Sequence, residues 1–126
     1  MLTDIEKNAI RDHYRAISQN LPQFRSRPAQ REMIAAIANA FSRTKSRAEG
    51  EEAPQREGES IVVIEGPTGV GKSLAYLLAG GIMAQTREKR LIVSSATVAL
   101  QEQLVNRDLP FLVAQSGLEL TFALAK

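Results

Sequence analysis

The most constraining feature of this chain is a junction near its middle. The β-branched run Ile61-Val62-Val63-Ile64 passes through Glu65 directly into Gly66-Pro67-Thr68-Gly69-Val70-Gly71-Lys72-Ser73. A continuous β-branched run reads as a strand buried on both faces, as in parallel sheets. The glycines that follow let the backbone curl so that successive N–H groups point inward. Beyond them Leu74, Leu77, Leu78 and Ile82 keep helical spacing, which predicts a helix from Lys72 to about Gln85. Strand, glycine loop and helix in that order make an anion cradle. The loop supplies N–H donors and the helix aims its positive end at the same place.

The run also fits G-x-x-x-x-G-K-[ST]. In that pattern the backbone at Gly66, Thr68, Gly69, Val70 and Gly71 wraps the phosphates, and Lys72 reaches the β and γ phosphates. The Ser73 hydroxyl ligates Mg2+. Lys72 and Ser73 are therefore the candidate catalytic residues, Ser73 is the candidate metal ligand, and ATP with Mg2+ is the expected cofactor pair. The pattern alone does not separate a kinase, a transport ATPase and a helicase.

Upstream, the pattern is helical. Thr3 and Glu6 form a capping box, and Ile10, Tyr14, Ile17 and Leu21 follow at steps of four, three and four, with Pro22 at the end. Pro28 suits a first helical position. Gln30, Met33, Ile34, Ile37 and Phe41 predict a second helix from about Pro28 to Phe41. Residues 44–58 hold no large apolar side chain and are expected to be a mobile charged loop. Downstream, Leu91-Ile92-Val93 predict a second short buried strand. Residues 96–105 predict a helix with Leu100 and Leu104 on one face, and residues 118–124 the start of a third strand. The expected fold is α/β: a partial P-loop, RecA-like parallel sheet over 59–126, preceded by two N-terminal helices over 1–43.

Composition narrows the chemistry. The 126 residues include no cysteine and one histidine. That excludes a disulfide scaffold, a thiolate metal site and a cysteine nucleophile within them. No run approaches the ~18 apolar residues of a membrane span. No basic-then-apolar leader opens the chain, so the expectation is a cytoplasmic protein without a membrane partner. The net charge is +2, and the surplus sits in residues 1–43, with seven Lys/Arg against four Asp/Glu. A mildly basic block permits nucleic-acid contact, though on charge alone a solvated helical surface is the simpler reading.

The residues around the loop add a resemblance. Glu65 to Ser73 resembles motif I of superfamily 2 helicases, with its P-T-G-x-G-K core, and more narrowly the DinG branch, relatives of the XPD-type DNA helicases. Family members often carry Ala at the place of Gly66. Arg27-Pro28-Ala29-Gln30-Arg31-Glu32-Met33 is similar to the Q-motif region, where a glutamine reads the adenine edge with one donor and one acceptor. The resemblance gives that role to Gln30, and to Arg27 a role at the nucleotide or in ordering the loop. Residues 93–104 resemble motif Ia, which holds the backbone of single-stranded DNA. It points to Ser94, Ser95, Thr97 and Gln101 as DNA contacts; helix capping is an equal reading of Ser95 or Thr97, and the two are compatible.

The resemblance implies an ATP-dependent DNA helicase that moves 5′ to 3′ in repair or replication conflicts. Such motors pair two domains and need an acidic motif and second-domain arginines. After Lys72 the acidic residues are Glu88, Glu102, Asp108 and Glu119, and none lies in a D-E-x-H context. The chain therefore looks like the N-terminal part of a first motor domain whose second motor domain lies elsewhere. A non-catalytic nucleotide-holding fragment is the alternative. A P-loop kinase is a third reading, one that leaves Gln30 unexplained.

Overall fold

The computed structural model describes residues 2–21, 24–43, 62–65 and 72–125. Helix α1 spans Asp4–Asn20. It starts where the sequence places it: the Thr3 hydroxyl accepts from the Glu6 N–H, and the Thr3 N–H donates to Glu6 Oε1 at 3.0 Å. Helix α2 spans Pro28–Ser42, with proline in its first turn, where a missing N–H is harmless. Helix α3 spans Lys72–Thr86. Its middle is apolar all round, and Leu77, Leu78, Ala79, Ile82 and Met83 are buried, so it forms the centre of the core. Helices α1 and α2 pack on it, and Ile17, Ile34 and Ile37 join it in one continuous cluster.

Gly80 and Gly81 let later segments approach α3 closely. A Cβ on Gly80 would stand 2.9 Å from both terminal methyls of Leu91, and one on Gly81 would stand 3.1 Å from Leu120 Cδ1. The helix ends in a Schellman arrangement, with Lys89 N–H donating to Ala84 O at 2.7 Å and Glu88 N–H to Gln85 O at 3.3 Å. The left-handed residue of that motif is Glu88, at φ 55°, where glycine is usual.

The next helical stretch is continuous to Ser116, which corrects the expected end at 105. Helix α4 spans Val98–Gln103, a π turn spans Leu104–Asp108, and α5 spans Leu109–Ser116. The π turn has a local cause. Pro110 lacks an N–H, and in α geometry its ring would press on the carbonyl of Asn106. The backbone widens there instead, and Leu109 N–H bonds Leu104 O five residues back. Gly117, at φ 73°, closes α5. The exposed carbonyls of that end are taken up by α1: His13 Nδ1–H donates to Ser116 O at 2.8 Å and Asn20 Nδ2 donates to Gln115 O at 2.7 Å.

The parallel sheet is where the structure departs from the sequence reading. Among the described residues there is no strand, and the architecture is helical. Residues 62–65, 91–93 and 118–124 are neither helical nor paired, and Ile61 lies outside the described residues. Double-faced burial is absent too, since Val63 is 91% exposed and Ile92 87% exposed. The reason is that a ladder is non-local. β-branched composition disfavours helix, but a strand exists only when a neighbour supplies its N–H and C=O partners. The charged stretch 44–58 also lies outside the described residues.

Candidate nucleotide and DNA site

The candidate residues fall in three places. The first is the start of α2. Arg27 precedes the helix as its N-cap residue and is exposed; its carbonyl accepts from Arg31 N–H. Gln30 points inward and is 4% exposed, so it is not an ordinary solvent-facing helix residue. Its Oε1 accepts the Tyr14 hydroxyl at 2.6 Å.

That bond sets the direction of a short relay. A tyrosine has one proton, and here Gln30 takes it. The Tyr14–Ser26 hydroxyl contact at 3.1 Å therefore needs the Ser26 proton, and Arg31 Nη1 donates to Ser26 Oγ at 2.7 Å. Arg31, Ser26, Tyr14 and Gln30 thus form a line of donors ending on the buried amide. Tyr14 is further fixed by the ring of Phe24, edge-on at 5.8 Å. Sequence reasoning placed Tyr14 on the apolar face of α1 and missed its second task. An aromatic with a polar tip, sixteen positions from a buried amide, was the available signal.

The second place is the start of α3. Lys72 is its first residue and is exposed, and Ser73 follows half-buried. Gly66, Thr68, Gly69, Val70 and Gly71 lie outside the described residues. What the described part offers is a helix of 15 residues beginning at Lys72, whose first-turn N–H groups have no carbonyl partner within the helix itself, and Lys72 is exposed. That donor set suits phosphate. For Mg2+ the ligand these residues offer is the Ser73 hydroxyl oxygen, and one such ligand fits an ion that keeps much of its water and takes few protein ligands besides substrate phosphate. No group of three acidic, His or Cys side chains gathers among the described residues, so a protein-only metal cage is not what they form.

The third place is the start of α4. The Thr97 hydroxyl accepts from Leu100 N–H at 3.2 Å as the helix cap. Gln101 Nε2 donates to the Ser95 carbonyl at 3.2 Å, which brings these two candidates together. Ser94 is exposed and Ser95 half-buried. The capping reading of Thr97 is observed; a side-chain cap by Ser95 is not.

Residues 23–117 match the family model described as the type III restriction enzyme, res subunit. The chain belongs to this family. Within it, the chain is similar to the ATP-dependent DNA helicase DinG of Escherichia coli (strain K12), at 41% identity over 111 residues, covering 88% of this chain and 14% of that protein. The DinG helicase of Photobacterium profundum is 40% identical over 126 residues, all of this chain and 17% of the relative. This family member therefore spans about a seventh of the length of the relatives it matches. The helicase resemblance read from Arg27–Met33, Glu65–Ser73 and residues 93–104 is matched by these relatives.

Proposed function

We propose that the chain is the nucleotide-holding N-terminal part of an ATP-dependent DNA helicase. The observation that carries this reading is the 41% identity over 111 residues to helicases of that name. Lys72 and Ser73 at the head of α3 support it as a phosphate-binding helix start. In this reading Gly66–Ser73 is a Walker A loop. Its backbone and Lys72 hold the triphosphate, and Ser73 holds Mg2+, which neutralises phosphate charge when bound. Arg27 and Gln30 stand at the base. Gln30 has a fixed position because Tyr14 holds it. Ser94, Ser95, Thr97 and Gln101 form the contact to a single-stranded DNA backbone. ATP hydrolysis, 5′-to-3′ unwinding, a role in repair and a cytoplasmic setting belong to the whole protein, in line with its DNA-acting relatives.

Titration with a fluorescent ATP analogue tests the reading. Lys72→Ala should abolish binding, and unchanged affinity in that variant overturns the cradle. Gln30→Ala should remove a preference for ATP over GTP; equal affinities in the parent chain overturn the adenine role.

A further inference from the structure

Between α1 and α2 runs an open groove of about 550 Å3. Its floor is largely aliphatic, with Ile10, Ile34, Ala35 and Ala38 around the Tyr14 ring. Its edges are cationic. Lys7, Arg11 and Arg15 line one side from α1, Arg31 faces them from α2, and among the described residues no carboxylate lines the groove. The three α1 cations are four residues apart, so they stand in a row at about 6 Å per step along the helix. All four are exposed, and among the described residues none of them has a salt-bridge partner. Arg31 touches only the neutral Ser26 hydroxyl. Like charges four apart on a helix face repel and destabilise it. The nucleotide reading uses none of the three α1 cations and Arg31 only at the outer end of the relay to Gln30, and the four account for much of the positive surplus in residues 1–43.

We propose that this groove docks an acidic amphipathic segment of a partner protein. Aliphatic or aromatic side chains of that segment seat on Ile10, Ile34 and Ala35, and its carboxylates pair with Lys7, Arg11, Arg15 and Arg31. Charge selects a polyanion, and the floor selects among polyanions. A nucleic-acid strand gains by stacking its bases on aromatic platforms. Here the one aromatic is Tyr14, packed against Phe24 and bonded to Gln30. An aliphatic floor instead rewards buried hydrocarbon, which is the helix-in-groove mode of recognition. The inference stands apart from the nucleotide reading and does not depend on it.

Fluorescence anisotropy with three labelled probes tests it on the intact chain. One probe is a synthetic helical peptide with Leu at i, i+3, i+4 and i+7 and Glu on the flanks. The second has the same composition with the leucines dispersed. The third is a single-stranded oligonucleotide. Two variants change exposed positions only: Ala35→Glu in the floor, and the pair Arg11→Glu with Arg15→Glu on the edge. Circular dichroism checks that both retain their helices. The amphipathic peptide should bind, with the dispersed peptide and each variant weaker by about tenfold or more. Equal binding of the two peptides, or no peptide binding, overturns the proposal. So does oligonucleotide binding that both variants weaken and the peptide cannot displace, which would make the groove a nucleic-acid site.

Discussion

Glu6, in the first turn of α1, and Arg87, just beyond the end of α3, meet at 2.9 Å across 81 positions of sequence. Arg87 Nε donates to Glu6 Oε2, Nη2 reaches Oε1 at 3.2 Å, and Nη1 donates to the Ser42 carbonyl at 3.0 Å. Thr86 and Thr3 add hydroxyl contacts to the same carboxylate. One guanidinium therefore ties the start of α1, the end of α2 and the end of α3. Glu6 is 3% exposed, so its charge persists only because these donors replace water.

The first prediction follows from that pairing. Donation from Arg87 leads in holding the Glu6 carboxyl at about 2, well below an ordinary 4.5, against the opposing effect of burial. Glu6 in turn raises the Arg87 pKa. Because the folded carboxyl is the stronger acid, its contribution to stability is complete above about pH 4.5. It is lost as pH falls from there toward 2. The amount is on the order of 2–3 kcal/mol. Arg87→Met should lower stability at pH 7 by about 3 kcal/mol and flatten that acid limb. Urea midpoints measured from pH 7 to pH 3 check both, and parallel pH curves for parent and variant would refute the assignment.

The contrast between Glu6 and the β-branched runs shows what was legible. The capping box is a local device, so Thr3 and Glu6 announced the start of α1 from three residues' separation. Pro28 and the apolar spacing of α3 did the same for their helices. The second partner of Glu6 lies 81 residues away and leaves no local trace. The sheet failed for the same physical reason: Ile92 and Val63 carry strand propensity, but propensity does not name a pairing partner. The π turn lies between these cases, since Pro110 signals a disturbance but equally permits a stop or a widening. At the candidate site, what was legible is position: Lys72 at a helix start and Gln30 on the apolar spacing of α2, where the structure has them. The hydroxyl relay behind Gln30 was not, because it joins two helices and a loop.

Glu88 yields the second prediction. It closes α3 at φ 55°, a conformation that strains a residue with a Cβ and favours glycine. A carboxylate there also faces the negative end of the helix. Glu88→Gly should therefore raise stability by roughly 0.5–1 kcal/mol, seen as a higher urea midpoint with an unchanged slope. A loss of stability would show that Glu88 makes a contribution beyond its backbone.

Gly117 is the converse case. It closes α5 at φ 73°, and a Cβ there would meet nothing within 4 Å. Gly117→Ala isolates backbone strain from steric conflict and should cost about 1 kcal/mol. Gly117→Asn should cost less, since asparagine tolerates the left-handed region. Thermal unfolding of the two variants beside the parent gives the order; equal losses would rule out backbone strain as the cause.

The last prediction concerns the relay to Gln30. Tyr14→Phe keeps the ring on Phe24 and removes the hydroxyl that donates to Gln30 Oε1 and meets Ser26 Oγ. The loss of the part-buried bond to Gln30, with the exposed Ser26 contact adding little, should lower stability by about 1 kcal/mol. If Gln30 reads adenine, the same change should act on recognition, because an amide without its anchor can rotate and present the wrong edge. The ratio of ATP to GTP affinity should then fall part of the way toward that of Gln30→Ala, with Lys72 and triphosphate affinity otherwise retained. Competitive titration of the two nucleotides against a fluorescent analogue measures the ratio directly. A Tyr14→Phe variant that loses stability yet keeps the parent's ratio would make the Tyr14 bond purely structural. A variant that loses affinity for both nucleotides equally would place its effect on the phosphate end of the site.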